Sequence, residues 1–412
     1  MAVGTRASIE TGLMQVWTAK EFIKQFYAED PLYETLKQRK PEIQIGLEAL
    51  TPIWTGRGGG ISMVPSTGSS ELNEASPQAV NRAKWEYKRQ WGLIELDTAG
   101  IEESKESRLA VMGQADLEIE GKLSDMKKQY TRQFFNDGTA LIAQCAKEEA
   151  ESKEIKLLKT GLGYQAIRNG WLVPGQVIDV GSKTEESKVV DKKAIVSVKE
   201  SEETPVLVMA AAVKTAETDY VSIANARAGE TSYETNGFRN LTSATTTLGG
   251  LKPETVPGWA GITQEEKSTP VTRQKVIKLR RKLRQRGETP DWGVTSLKQI
   301  EALENESYTQ VRFPDVASQA TGDGESIKVT NMKVQAHQDC PDSDFYEMCT
   351  KHTFLLGRDG GSAPKWVTQE FGDSSQVFVW KQGTTYLLSA IESYCELATD
   401  RRNSLGRLSE LS

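Results

Sequence analysis

The 412 residues carry 51 Lys and Arg against 57 Asp and Glu, a net charge of -6, so no surface-wide embrace of nucleic acid is expected and any such contact must be local. A hydrophobic fraction of 37% is ample for one large or two to three small cores, and the longest apolar stretch, the 8 residues Val206–Val213, falls well short of the roughly 20 needed to cross a bilayer. Cys145, Cys340, Cys349 and Cys395 are too scattered for a disulfide framework and are expected to be reduced thiols. The opening MAVGTRASIETGLMQVW has no basic segment followed by an unbroken apolar run, so no secretory leader is expected and the protein should stay in the cell that makes it.

Residues 1–50 read as an arm with short helices. Thr18 to Glu21 forms a capping box ahead of Phe22, Ile23, Phe26 and Tyr27, and Pro31 and Pro41 then interrupt. Over 51–100, Gly58 to Gly60 opens a short apolar run from Ile61 to Val64. A polar stretch follows, and then Ala83, Trp85, Tyr87, Arg89 and Trp91 alternate with polar residues at the period of a strand. This predicts a long hairpin with a soluble tip. A lone two-stranded ribbon is marginal in water, so Trp54, Trp85, Tyr87 and Trp91 are expected to be covered by another subunit.

Residues 101–150 hold the strongest helical period: Leu109, Met112, Ala115, Ile119, Leu123, Met126, Tyr130 and Phe134 recur at steps of three and four. The spacing predicts one amphipathic helix from Ser107 to Asn136, about 45 Å long at about 1.5 Å per residue, stopped by Asn136-Asp137-Gly138. In the segment 151–325, strands are expected at Leu172–Val180, Ala194–Val198 and Val206–Met209. A helix capped at Ser268-Thr269-Pro270 should run to Gly287, and a second should begin at Ser296 with Gln299 closing a capping box. In 326–412, Ile327 and Val329 differ in parity from Met332, Val334 and Ala336, which suggests a bulge or bend. Tyr386 to Ala398 fits a helix and a strand equally.

The order of arm, hairpin, spine-length helix, β-rich middle and strand-rich end resembles the major capsid proteins of tailed phages. Particular stretches carry the resemblance: Gln129 to Thr139 at the end of the long helix, Asn236 to Leu241, Leu248 to Leu251 with Pro257-Gly-Trp259, His337 to Pro341 with Phe345-Tyr346, and Thr399 to Asn403. The resemblance implies an α+β Hong Kong-phage-type capsid fold. It would have an N-terminal arm (1–50), an extended β-hairpin loop (51–100), a peripheral domain with the spine helix (101–150), a β-rich segment and axial domain (151–325), and peripheral-domain strands to the C-terminus (326–412). It further implies a protein made in the host cytoplasm that partners itself in pentamers and hexamers of a virion shell. Portal and scaffold proteins, a decoration protein and loosely contacted double-stranded DNA complete the implied partners, with no cofactor and no membrane. An encapsulin-like compartment of the same fold stays open, as does a nucleic-acid-binding accessory protein or enzyme.

Chemistry-bearing patterns are sparse. The glycine run at Thr55 to Gly60 lacks the Gly-Lys-Ser/Thr of a phosphate loop and suits a hinge. Only His337 and His352 could serve as imidazole bases for a nucleophile, so no catalytic residue is assigned. His337-x2-Cys340-x8-Cys349-x2-His352 gathers zinc-type ligands. Read as a strand from Phe345 to Phe354, however, it points Cys349 and His352 to opposite faces, and no metal is expected. Thr272 to Arg286 carries eight basic residues. Arg273, Lys278, Arg281 and Lys282 are candidates to face DNA, against the plainer reading of a solvated helix face.

Overall fold

The computed structural model describes residues 32, 35–39, 43–56, 58–64, 66, 71–97, 114–146, 149–159, 162–182, 193–201, 203–228, 231–310, 326–358, 365–367, 369–371, 374–376 and 379–412. The capping box at Thr18 lies outside these residues, as do Leu109 and Met112.

The first half of the chain runs β1 (Lys37–Arg39), β2 (Ile43–Ile45), β3 (Glu48–Gly56), β4 (Ala79–Glu86), β5 (Lys88–Asp97) and helix α1 (Gln114–Phe135). Next come β6 (Ala143–Gln144), β7 (Glu149–Lys156), α2 (Gly163–Arg168), β8 (Val177–Ser182), β9 (Lys193–Lys199), β10 (Val206–Thr215) and β11 (Asp219–Ile223). The short β12 (Arg227–Ala228), β13 (Thr231–Ser232) and α3 (Phe238–Leu241) lead to β14 (Ile262–Glu265), α4 (Arg273–Gln285), β15 (Trp292–Thr295) and α5 (Leu297–Gln310). The remainder is β16 (Ser326–Val329), β17 (Met332–Ala336), β18 (Phe345–Met348), β19 (Thr353–Gly357), β20 (Lys365–Trp366), β21 (Gln369–Phe371), β22 (Ser374–Gln376), β23 (Val379–Trp380), β24 (Tyr386–Thr399) and β25 (Gly406–Ser409).

Three six-stranded sheets carry the architecture. In the first, β5 pairs antiparallel along one edge of β24 from Lys88↔Cys395 to Asp97↔Tyr386, while β23, β20 and β19 take the other edge in turn. The spine helix α1 lies on this sheet: Leu123 and Met126 pack with Ile94, Leu96 and Ile391, and the Tyr130 hydroxyl donates to the Ser393 carbonyl at 3.1 Å. Their approach is close because Gly92 has no side chain. A Cβ there would stand 2.8 Å from Met126 Sδ and 2.9 Å from Lys122 Cγ. Tyr130 and Phe134 continue the seam into the main core.

The second sheet, in the order β6-β11-β8-β9-β10-β7, encloses its own core of Ile178, Val180, Leu207, Val221 and Trp171. The third, β14-β25-β18-β15-β17-β16, is covered by α4 through Val276, Leu279 and Leu283 and by α5 through Ile300 and Leu303. Residues 326–412 therefore divide mainly between two sheets, because β16, β17, β18 and β25 join β14 and β15, whereas β19, β20, β23 and β24 join β5, and β21 pairs only with β22. A linear boundary at 325/326 cuts through the third sheet.

Several local expectations need correction. Ile61 to Val64 forms no strand, and the return strand of the hairpin starts at Ala79. The parity change after Val329 is a two-residue hairpin turn, with Thr330 and Asn331 at φ 46° and 66°, rather than a bulge. The cap of α4 is Thr272, whose side chain accepts from the Lys275 N–H, and not Ser268. Gln299 does not close a box on Ser296: its side chain accepts from the Val271 N–H and donates to the Asp342 and Ser412 carbonyls, tying α5 to three distant segments. Tyr386 to Ala398 is strand.

Candidate assembly surface

The hairpin β3–β4 has two different parts. At its base the register Ala49↔Trp85 and Thr51↔Ala83 points Ala49, Ala83 and Trp85 inward, and Tyr87 follows on the same face. The Trp85 ring is 1% exposed and packs at 6.4 Å on the ring of Trp259. Each indole N–H is satisfied, Trp85 by the Thr51 hydroxyl at 3.2 Å and Trp259 by the Leu248 carbonyl at 2.9 Å. The Lys84 N–H donates to the Gly249 carbonyl at 2.9 Å. Gly249, at φ 60°, lies where a Cβ would meet Ala83 Cβ at 2.9 Å. The expectation that Trp85 and Tyr87 need a neighbouring subunit is thus corrected, because both are buried in the chain's own core, Trp85 against Trp259.

Beyond the base, no such cover is found among the described residues. Trp54 is 74% exposed and Met63 95%, and Ile61, Val64, Leu72 and Val80 are exposed with them. Polar bonds hold the two outer legs together, from Gly59 N–H to Ser76 Oγ at 2.5 Å and from Asn73 N–H to Ser62 Oγ at 2.6 Å. Ile43, Ile45 and Leu47 add exposed apolar surface along the β2 edge of the same sheet. Trp91, 49% exposed, sits on the face of β5 away from the spine helix beside Leu93, with the Arg89 guanidinium 4.0 Å over its ring and paired to Glu392. These exposed apolar side chains are the candidate contact surface of the subunit.

The segments that carried the sequence resemblance meet around the C-terminal end of α1. Arg132 of the helix forms a buried ion pair with Glu234, and Gln133 Oε1 accepts from the Thr235 N–H at 3.2 Å. Glu396 of β24 accepts from the Asn236 N–H at 3.1 Å and from Asn236 Nδ2 at 2.6 Å, and burial holds its carboxyl up at about 8. Arg239 pairs with Asp344 at 2.8 Å, which raises its already high pKa further, and the Tyr346 hydroxyl donates to the same carboxylate at 2.9 Å. Arg402 donates to the carbonyls of Leu241, Asn240 and Thr246 at 3.0, 2.9 and 2.6 Å, and burial lowers it to about 10. Residues 234–246 are therefore a polar junction that locks spine helix, first sheet and third sheet together. Sequence reasoning did not single out Arg132, Glu234, Glu396 or Arg402 as a group. Charged residues at such separations carry no periodic signal.

Among the candidate DNA-facing residues, Arg273, Lys278 and Arg281 lie exposed on α4. Lys282 is half-buried and its ammonium donates to Gln264 Oε1 at 2.7 Å, so it is withdrawn from that surface. The side chain of Ile119 falls outside what is described.

The presumed metal motif is rearranged. The His337 ring packs tilted against Phe135 at 4.9 Å and its Nδ1 accepts from the Asp339 N–H, while the Cys340 thiol donates weakly to the Pro341 and Asp344 carbonyls. Strand β18 ends at Met348, and residues 350–352 form a turn. The parity argument for opposite faces therefore does not apply to Cys349 and His352, which the turn brings together beside Glu288.

No family model matches the chain, and no curated protein matches it significantly. Solved structures do. A subunit of the cyanophage A-1(L) capsid asymmetric unit aligns over 93% of this chain and 95% of its own at a TM-score of 0.55, with 12% sequence identity. The chain has the Hong Kong-phage-type capsid fold. A native GTA particle capsid aligns over 92% of the chain and 90% of its own (TM-score 0.47, 8% identity). The holo-SrpI encapsulin complex from Synechococcus elongatus PCC 7942 aligns over 95% of each (TM-score 0.46, 8% identity). The assignment of the capsid fold rests on the cyanophage subunit, whose likeness runs through nearly the whole length of both chains.

Proposed function

We propose that the chain is the major capsid protein of a tailed phage, a subunit that assembles with copies of itself through pentamers and hexamers into the icosahedral-type head shell around double-stranded DNA. The single observation that carries this reading is the outer hairpin. In a subunit of capsid fold whose hairpin base is buried in its own core, the outer half presents Trp54, Ile61, Met63 and Leu72 to solvent. Residues of this kind are stable when covered, and a neighbouring copy supplies the cover in a closed assembly that leaves no adhesive surface exposed. Trp91 and Leu93 on β5 would belong to a second such contact.

The work of the protein in this reading is structural. The rigid unit of spine helix and long β24 transmits load, and the junction at residues 234–246 fixes the first and third sheets to it. Arg273, Lys278 and Arg281 on α4 offer a local cationic face for loosely held DNA. Portal and scaffold proteins, and a decoration protein, are the further partners, and the location is the virion, with synthesis in the host cytoplasm. Sedimentation of the purified protein, alone and with its cognate scaffold, tests the proposal: capsomers or larger particles are expected. A monomer under both conditions that binds DNA tightly with steep salt dependence would replace it with the accessory-protein reading.

A further inference from the structure

The turn after β18 places Cys349, His352 and Glu288 so that one ligand atom of each lies within 4.8 Å of the others. Three features distinguish this trio from an incidental cluster of polar side chains. The first is the state of the imidazole. His352 Nδ1 lies 2.6 Å from Asp400 Oδ1, and a carboxylate can only accept, so Nδ1 carries the proton of that bond. The other ring nitrogen, Nε2, is left out of that bond. It is buried, makes no hydrogen bond, and faces Glu288 Oε1 at 3.3 Å. With Nδ1 committed to Asp400, Nε2 is the ring nitrogen left to meet a cation beside Glu288 Oε1, an oxygen that Arg401 also holds.

The second feature is the outer layer. A metal-bound histidine commonly donates its other ring N–H to a carboxylate, which fixes tautomer and ring orientation. Asp400 does so here and is itself held by Arg39 Nη1 at 3.0 Å. Glu288 is held by Arg401, the residue after Asp400. The third is the thiol. Cys349 is buried and unbridged, so no covalent bond competes for its sulfur.

We propose that Glu288, Cys349 and His352 bind a zinc-class divalent cation, with water in the fourth position. Sulfur, imidazole nitrogen and carboxylate oxygen in one set suit zinc and exclude the oxygen-seeking calcium and magnesium. Zinc bonds of about 2.0–2.3 Å put tetrahedral ligands roughly 3.3–3.8 Å apart, so the trio needs to close by about an ångström, within the reach of side-chain torsions. Glu288 and His352 are partly exposed, which leaves the ion an entry path and the open position to solvent. The cation would tie the segment before β15 to the β18–β19 turn and, through Asp400, to the end of β24. That joins the third sheet to the first.

The rival account is that a proton does the same work, with a doubly protonated His352 bridging Asp400 and Glu288. The full-length protein, stripped with chelator and titrated with Zn(II), separates the two. One zinc per chain is expected, and Co(II) substitution should give a thiolate-to-cobalt charge-transfer band in the near ultraviolet. Cys349→Ser should abolish the band, while Cys340→Ser should leave it and the stoichiometry intact. Asp400→Asn should weaken zinc affinity by about 10–100-fold, as loss of an outer-layer partner does. Should Cys349→Ser fail to fold, the cobalt spectrum of the unmodified protein still decides. No charge-transfer band and no zinc retained on dialysis would overturn the site in favour of the imidazolium bridge.

Discussion

Replacing Trp85 with alanine separates the two halves of the hairpin. The indole is buried against Trp259 and its N–H is bonded to the Thr51 hydroxyl. Truncating a buried Trp removes its transfer free energy and leaves a cavity, together about 3–5 kcal/mol, and the lost hydrogen bond adds about 1 kcal/mol at most because half-buried Thr51 can turn to water. Against a typical total stability of about 5–15 kcal/mol, that is a large fraction. Trp54, three residues after Thr51 and 74% exposed, touches none of this core, and Trp54→Ala should change subunit stability by less than about 0.5 kcal/mol. Its effect belongs to assembly, where an aromatic anchor commonly contributes about 2 kcal/mol or more. Urea unfolding of the unassembled subunit measures the first quantity. With m near 1–3 kcal/mol/M, the Trp85→Ala midpoint should fall by about 1 M or more while the Trp54→Ala midpoint stays. A Trp85→Ala subunit as stable as the parent but unable to assemble would refute the division of the hairpin into an internal base and an external arm.

Other residues give independent checks. Arg132→Ala leaves Glu234 buried without its cation and should cost about 3–5 kcal/mol, read as a lowered thermal midpoint; a change under 1 kcal/mol would mean that water reaches the junction. Gly92→Val drives a side chain into Met126 and Lys122 and should destabilise by about 1–3 kcal/mol, with loss of tertiary signal from the spine helix before loss of secondary structure. Glu396 has a folded-state value of about 8 against an ordinary 4.5, so the folded state keeps a proton that the unfolded chain releases, and its contribution to stability falls as pH rises from 4.5 to 8. Glu396→Gln should flatten that slope in urea midpoints measured across the window and should be more stable than the parent at pH 8, by on the order of a few kcal/mol at most. An unaltered slope would assign the pH dependence to other groups.

The periodic parts of the chain were legible because their cause is local. Leu123, Met126, Tyr130 and Phe134 recur at helical spacing, and they face the first sheet and main core as one seam. The alternation around Trp85 identified a strand and its inward side, but nothing nearby in sequence indicated that Trp259 would cover it. Tyr386 to Ala398 stayed ambiguous for a physical reason: the face of β24 turned to the spine helix is Ser389, Ile391, Ser393 and Cys395, and two serines in that row mask the period of two. Cys349 and His352 share a side despite their opposite strand parity because the strand ends at Met348 and the chain turns. Paired charges such as Arg132 with Glu234, or Glu396 with Asn236, depend on chain crossings that no window of sequence contains.

We propose that this subunit closes into shells and that its outer hairpin arm supplies the adhesion. Electron microscopy of the purified protein, with three-dimensional reconstruction of the particles, tests both parts together. The expected map shows pentamers and hexamers in a closed shell, with the exposed side chains of Trp54, Ile61, Met63 and Leu72 lying against an adjacent copy. A map in which subunits meet elsewhere and these side chains stay in solvent, or a field of monomers with no particles in the presence of scaffold, would contradict the account.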